Sequence, residues 1–195
     1  YSHDSACSLL VDGQLVAAAE EERFSRLKHD SRFPIQAIAQ CLRTARMSMA
    51  DVDVVAYFEN PDLKASRQRH QTDLSRGRIA SLISEKLAFD KKIFFSEHHL
   101  SHAASAFYYA NVKESAFLTA DAVGEKTTTS YGSIDRSKLK TIETVGYPHS
   151  LGLFYSALTW YLGFEPNDSE YKVMGLASYG QPNFVSKLEE LIKIG

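Results

Sequence analysis

Two cysteines, Cys7 and Cys41, are all the thiol that this chain carries. A disulfide-dense scaffold, the usual device of small secreted domains, is thereby excluded. Cys7 sits in an apolar strand pattern and Cys41 in a helix pattern. Both are read as small core residues, and the protein as a reduced, cytoplasmic one. An excess of charge is also missing: 22 Lys and Arg stand against 24 Asp and Glu, a formal −2. That balance leaves no basic face for a nucleic acid. No apolar run approaches the about 20 residues of a membrane span, and no signal-peptide pattern opens the chain. There is no internal repeat and no low-complexity segment. An initiator Met is lacking too: the chain opens at Tyr1 within a strand-like pattern and closes at Gly195 after an amphipathic helix. These ends suggest a fragment of a longer protein.

What is present is enough apolar content, 44% of 195 residues, for a sizeable core in one domain or a domain and a half. Ala6–Val11 and Gln14–Ala19 read as strands joined by Asp12-Gly13, a strong hairpin signal because both turn positions need positive φ. The charged stretch from Glu20 to Asp30 has two readings, a solvated loop or the lining of an anion site with Arg23, Arg26 or Lys28 facing phosphate. Phe33-Pro34 opens a helix with Ile35, Ile38, Leu42 and Ala45 on one face. Asp51–Phe58 reads as a half-buried strand. Glu59 to Arg78 reads as a long surface connection, in which His70 has no function. Ile79, Leu82, Ile83 and Leu87 mark a second helix.

The stretch that carries chemistry is Glu97-His98-His99-Leu100-Ser101-His102, placed after the apolar run Ile93–Phe95. On a helix, His98 and His102 lie one turn apart on one face, a spacing that lets two imidazoles hold a single metal ion. Next comes an apolar strand, Ser115–Ala120, ending in Asp121. Such a carboxylate either lines the ligand crevice of an open α/β sheet or serves an Asx turn or a helix cap. Thr127–Ile134 and Leu139–Val145 read as two further strands. Leu153–Leu162 is a helix apolar nearly all round, expected to be buried on more than one side, with Phe154, Tyr155, Trp160 and Tyr161 in the core. Gly163–Gly180 mixes loop formers with small residues, and Gly175 permits close backbone approach to a ligand. Pro182 opens a last helix with Val185, Leu188, Leu191 and Ile192.

Taken in order, these elements suggest an α/β fold with an actin/Hsp70-like (ASKHA, ribonuclease-H-like) core. The motifs are more specific. Ser2-His3-Asp4-Ser5-Ala6, Asp12-Gly13, Glu20-Glu21-Glu22-Arg23-Phe24 with Lys28-His29, and Phe33-Pro34 resemble the opening of the nodulation-factor and antibiotic O-carbamoyltransferases. So do His98–Ala106, Asp121 with Gly124-Glu125, Ser150-Leu151-Gly152 and Lys172–Ala177. The resemblance spans nearly the whole chain and implies that residues 1–195 are the N-terminal part of a Kae1-like domain.

The resemblance also implies a two-step enzyme. A YrdC-like C-terminal domain, outside this chain, makes carbamoyl adenylate from carbamoyl phosphate and ATP. The Kae1-like domain moves the carbamoyl group to a hydroxyl of a sugar or natural-product acceptor. It implies Fe(II), or another divalent metal, held by His98, His102 and Asp121, with His99 pointing off their face. Lys28 would lie against the carbamoyl adenylate and His3 would contact or deprotonate the acceptor. The turn Asp121-Ala122-Val123-Gly124-Glu125 would pass along the nucleotide, with Ser150 and the Lys172–Gly175 loop as further nucleotide contacts. Since the family supplies another aspartate ligand and the adenylating domain from further downstream, this fragment alone is expected to bind metal weakly and to be inactive. A hydrogenase-maturation or tRNA-threonylcarbamoylation relative is the alternative within the fold. A non-catalytic nucleotide-binding or assembly module is the alternative of a different functional class.

Overall fold

The computed structural model describes residues 4–67, 75–136 and 138–192. His3, Arg69 and His70 therefore lie outside the described residues. The chain is mixed α/β and divides into two units, residues 1–96 and 97–195.

The first unit opens with an antiparallel hairpin, β1 (Ala6–Val11) and β2 (Gln14–Glu20). The turn forms as the sequence predicts, with Asp12 at φ 51° and Gly13 at φ 77°. A short helix, α1 (Glu22–Ser25), follows, and then α2 (Ile35–Ala45) packs on the hairpin. Ala37 and Cys41 are buried, and the Cys41 thiol reaches the Cys7 carbonyl at 3.6 Å. Burial, with Cys41 beside it, pushes the Cys7 thiol up to about 12. Both cysteines are thus packing groups. Ile35, however, is exposed: it starts the helix on the outer side, and the buried stripe runs instead through Ala37 and Cys41.

The charged stretch after β2 is not simply a solvated loop. Glu21 is only 2% exposed. Its carboxylate accepts the backbone N–H of Gln36 at 3.0 Å and of Ala37 at 2.8 Å. These are donors in the first turn of α2, which Pro34 at the N-cap leaves without a side-chain partner. Asp30 is also buried and grips Arg32 through two nitrogens, at 2.9 and 2.6 Å. The Arg32 hydrogen bonds hold its carboxyl well below the usual carboxylate range.

A parallel pair, β3 (Val54–Tyr57) and β4 (Lys92–Phe95), completes the unit. Parallel neighbours need a crossover, and the segment read as a surface connection supplies it with α3 (Pro61–Arg67) and α4 (Arg76–Leu87). The connection therefore has structure that its composition hides. Glu59 is buried, and Lys64 neutralises it at 2.9 Å. Ile79 and Ile83 of α4 form the core with Phe89, against Val55, Tyr57, Ile93 and Phe95. Each such buried side chain contributes roughly 1.5–3 kcal/mol.

The second unit starts with α5 (His98–Tyr109) and a three-stranded antiparallel sheet, β5 (Glu114–Ala120), β6 (Thr127–Asp135) and β7 (Leu139–Gly146), in the order β5-β6-β7. Then come α6 (Leu151–Tyr161), α7 (Glu170–Ala177) and α8 (Val185–Leu191). Two expectations change here. The all-round apolar α6 is not enclosed: Thr159 is buried, but Trp160 is 71% and Tyr161 80% exposed. The described residues simply lay no second layer over that face. Lys172–Gly175 lies in α7 rather than a loop, because Glu170–Ala177 keeps helical hydrogen bonding from Ser169 onward. A Cβ at Gly175 would meet open space, so no close approach of described backbone requires that glycine.

Candidate metal centre

The histidine stretch forms the first turns of α5, as its spacing predicts, and β5 ends at Ala120 just before Asp121. The structure brings three of the expected side chains together. Nε2 of His98 and Nε2 of His102 are 3.0 Å apart. Asp121 Oδ2 lies 2.8 Å from the first and 3.8 Å from the second. Two donors about 2.0–2.2 Å from one ion, at right angles to each other, stand about 3 Å apart. The donor set therefore fits a divalent ion. Two imidazoles with one carboxylate suit iron, zinc or manganese by ligand type.

Asp121 does two things at once. Oδ2 meets the histidines, while Oδ1 accepts the backbone N–H of Ala122 at 2.7 Å. The turn reading of this residue is thereby seen directly, in the Oδ1 contact with the next backbone N–H. His102 and His98 hold its carboxyl far below the usual range, and Asp121 in turn raises the His102 imidazole.

Around these three, the other expected residues take definite places. Ser150 Oγ donates to the carbonyls of Ala122, at 2.7 Å, and Asp121, at 3.1 Å, and accepts the Leu153 N–H as N-cap of α6. Gly152 explains the rest of that motif. A Cβ there would stand 2.6 Å from Ala122 N and Asp121 O, so only glycine lets α6 meet the turn that carries Asp121. The Ser150-Leu151-Gly152 motif thus holds Asp121 in place. Glu125 is buried, and its Oε1 accepts the His98 N–H at 2.9 Å. It lies against the start of α5 rather than facing outward. Lys172 is exposed, with its ammonium 2.9 Å from Ser169 Oγ. Lys28 belongs to the first unit, exposed on the turn after Arg26, which adopts φ 60°.

His99 departs from its neighbours as expected. It is 5% exposed, and its Nδ1 pairs with Ser130 Oγ at 2.9 Å. Burial pushes its imidazole pKa down. A second grouping went unnoticed in the sequence: donor atoms of Asp4, Glu22 and His29 lie within 4.8 Å of one another. His29 Nδ1 meets Asp4 Oδ1 at 2.8 Å, and Glu22 accepts the His29 N–H at 3.0 Å. No periodicity announces it, because Asp4 and His29 are 25 positions apart on opposite sides of the hairpin.

With this geometry in hand, comparison with known proteins settles the family. A family model described as carbamoyltransferase N-terminus matches residues 1–77 and 67–195. The chain belongs to the carbamoyltransferase family. Among its relatives is the nodulation protein NolNO of Sinorhizobium fredii, 36% identical over 194 residues, covering 93% of this chain and 28% of the relative. The uncharacterized protein sll1178 of Synechocystis sp. is 41% identical over 211 residues, covering 95% of this chain and 34% of that protein. The nodulation protein NolO of Bradyrhizobium diazoefficiens is 36% identical over 86 residues, 44% of this chain and 16% of the relative. The chain thus spans only about a third of the length of the curated relatives it matches. Among the described residues, no helix is long and apolar enough to cross a membrane.

Proposed function

We propose that the full-length protein is an O-carbamoyltransferase that moves a carbamoyl group from carbamoyl adenylate, made from carbamoyl phosphate and ATP, to a hydroxyl of a sugar or natural-product acceptor. The observation that supports this reading best is the convergence of His98, His102 and Asp121 in a chain of the carbamoyltransferase family. We further propose that the core is actin/Hsp70-like and that this chain is the N-terminal part of a Kae1-like domain. A YrdC-like domain elsewhere in the protein supplies the adenylate.

In the transfer step, the acceptor oxygen forms a bond to the carbamoyl carbon, and the bond from that carbon to the adenylate phosphate oxygen breaks. AMP leaves, and the hydroxyl proton passes to a base. His3 is assigned that base, since a neutral imidazole takes such a proton near pH 7. Negative charge grows on the carbonyl oxygen and on the departing phosphate. The Lys28 ammonium opposes that charge where it develops. An Fe(II) or other divalent ion held by His98, His102 and Asp121 would supply further positive charge beside the nucleotide. The backbone of Ala122, Val123 and Gly124 would run along the nucleotide, and Asp121 would join that turn to the ion. Ser150 supports this turn from behind. Lys172 and Gly175, on α7, are assigned to the outer part of the nucleotide.

The test is product analysis. The full-length protein with carbamoyl phosphate, ATP and a panel of glycosides should yield an acceptor heavier by one carbamoyl group, together with AMP. Loss of that product in Lys28→Ala, with folding intact, is expected. An unchanged yield in Lys28→Ala would contradict the role given to the lysine.

A further inference from the structure

The first two turns of α5 carry both histidines of the candidate metal site, yet the helix has no side-chain cap of its own. Glu97, at the N-cap, makes no capping hydrogen bond. The early N–H groups of a helix need acceptors from elsewhere. For His98 that acceptor comes from 27 positions further along: the Glu125 carboxylate, at 2.9 Å. We infer that Glu125 is a positioning residue for the metal centre, fixing the backbone of His98 while Asp121 fixes its ring; the inference rests on the metal reading above.

Three observations carry it. Glu125 is only 5% exposed, so its carboxylate is committed to the helix and not displayed to solvent or to an anion. A buried carboxylate is favoured at a helix N-terminus by the dipole of the peptide groups. Its bond goes to the N–H of the ligand residue itself. Asp121 and Glu125 stand four residues apart on one turn, so that turn holds His98 at two points and supplies a third ligand as well. Gly124, between them, leaves the room that the same residue fills. A Cβ there would lie 3.1 Å from His98 Cβ and Cδ2 and 3.2 Å from His99 Cδ2. The His99–Ser130 contact at 2.9 Å then ties the next residue of α5 to β6. Without the Glu125 contact, the turn would hold His98 through Asp121 alone. Partners that orient metal-ligating histidines through the ring commonly matter about 10–100-fold in affinity, and the same range is expected for this backbone restraint.

The test uses the full-length protein and titration with Co(II) against a competing chelator, which reads binding rather than turnover. Glu125→Gln keeps an oxygen that can accept the His98 N–H, and its affinity should stay close to wild type. Glu125→Ala removes the acceptor, and Glu125→Asp withdraws it by one methylene. Both should lose roughly 10–100-fold in affinity. Should Glu125→Ala fail to fold, Glu125→Asp, which keeps the charge, decides the matter. Wild-type affinity in Glu125→Asp, or an equal loss in Glu125→Gln and Glu125→Asp, would overturn the inference. His98→Ala in the same titration separates the two layers. If it binds Co(II) as the wild type does, the metal reading itself fails. If it loses binding while Glu125→Asp does not, only the positioning role fails.

Discussion

His98 Nε2 lies 2.8 Å from Asp121 Oδ2, across 23 positions of sequence. One partner stands on the first turn of a helix and the other just beyond the strand that follows it. The contact makes the site a product of that helix–strand pair.

The turn that holds Asp121 should tolerate no side chain at Gly152. Adding one methyl group there places it 2.6 Å from backbone atoms that cannot move independently. Gly152→Ala should cost about 1–3 kcal/mol, the usual range for overpacking. Urea unfolding of the full-length protein, with metal affinity measured alongside, checks both effects. Gly175→Ala, where no described atom lies within 4 Å, serves as the tolerant comparison.

Glu21 should matter to stability more than an acidic residue in a charged run suggests. Removing its carboxylate strands the Gln36 and Ala37 N–H groups at the start of α2. Glu21→Ala should cost about 1–2 kcal/mol, as loss of a helix cap does. Glu20→Ala, which loses a contact with the exposed Arg23, should stay near neutral. Chemical denaturation of the pair distinguishes them.

Asp30 gives the fold a pH dependence of known sign. Its carboxyl is held below the ordinary range by Arg32, so its contribution to stability is present above the unfolded value, about 3.9. It is lost progressively as pH falls below that value toward the lowered folded one. Wild type should therefore exceed Asp30→Asn in stability at pH 6, with the gap narrowing below about pH 4. A gap that stays constant from pH 6 to pH 3 would contradict the pairing.

Much of this could be read from the sequence, and the exceptions share a cause. The Asp12-Gly13 hairpin, the His98/His102 pair and the strand ending at Asp121 were legible because each is encoded locally, by turn chemistry or spacing. The roles of Glu21 and Glu125 were not. Each is a carboxylate that caps a helix belonging to another element, 15 or more positions away, and no local pattern marks such a contact. Glu125 was expected along the nucleotide for its place in the motif, and its carboxylate contact with α5 is a further role that the motif does not announce. The crossover through α3 was hidden for a different reason: Glu59 and Lys64 look solvated in sequence but neutralise each other where Glu59 is buried. The exposed face of α6 shows the reverse, since apolar composition predicts burial but does not supply the layer that does the burying.

The two thiols offer a simple check on the first unit. Burial raises Cys7 to about 12, so little thiolate exists near neutral pH, and Cys41 is enclosed beneath it. Neither should be alkylated by iodoacetamide at pH 8 in the native protein, and both should react once it is unfolded in urea. Mass spectrometry of the labelled chain reads the result.

The most direct measurement is the metal content of the full-length protein, taken with and without its two helix histidines. Wild type should hold one divalent ion per chain and carbamoylate its acceptor. His98→Ala and His102→Ala should each lose the ion and the activity while remaining folded. Unchanged metal content and unchanged transfer in both variants would contradict the account.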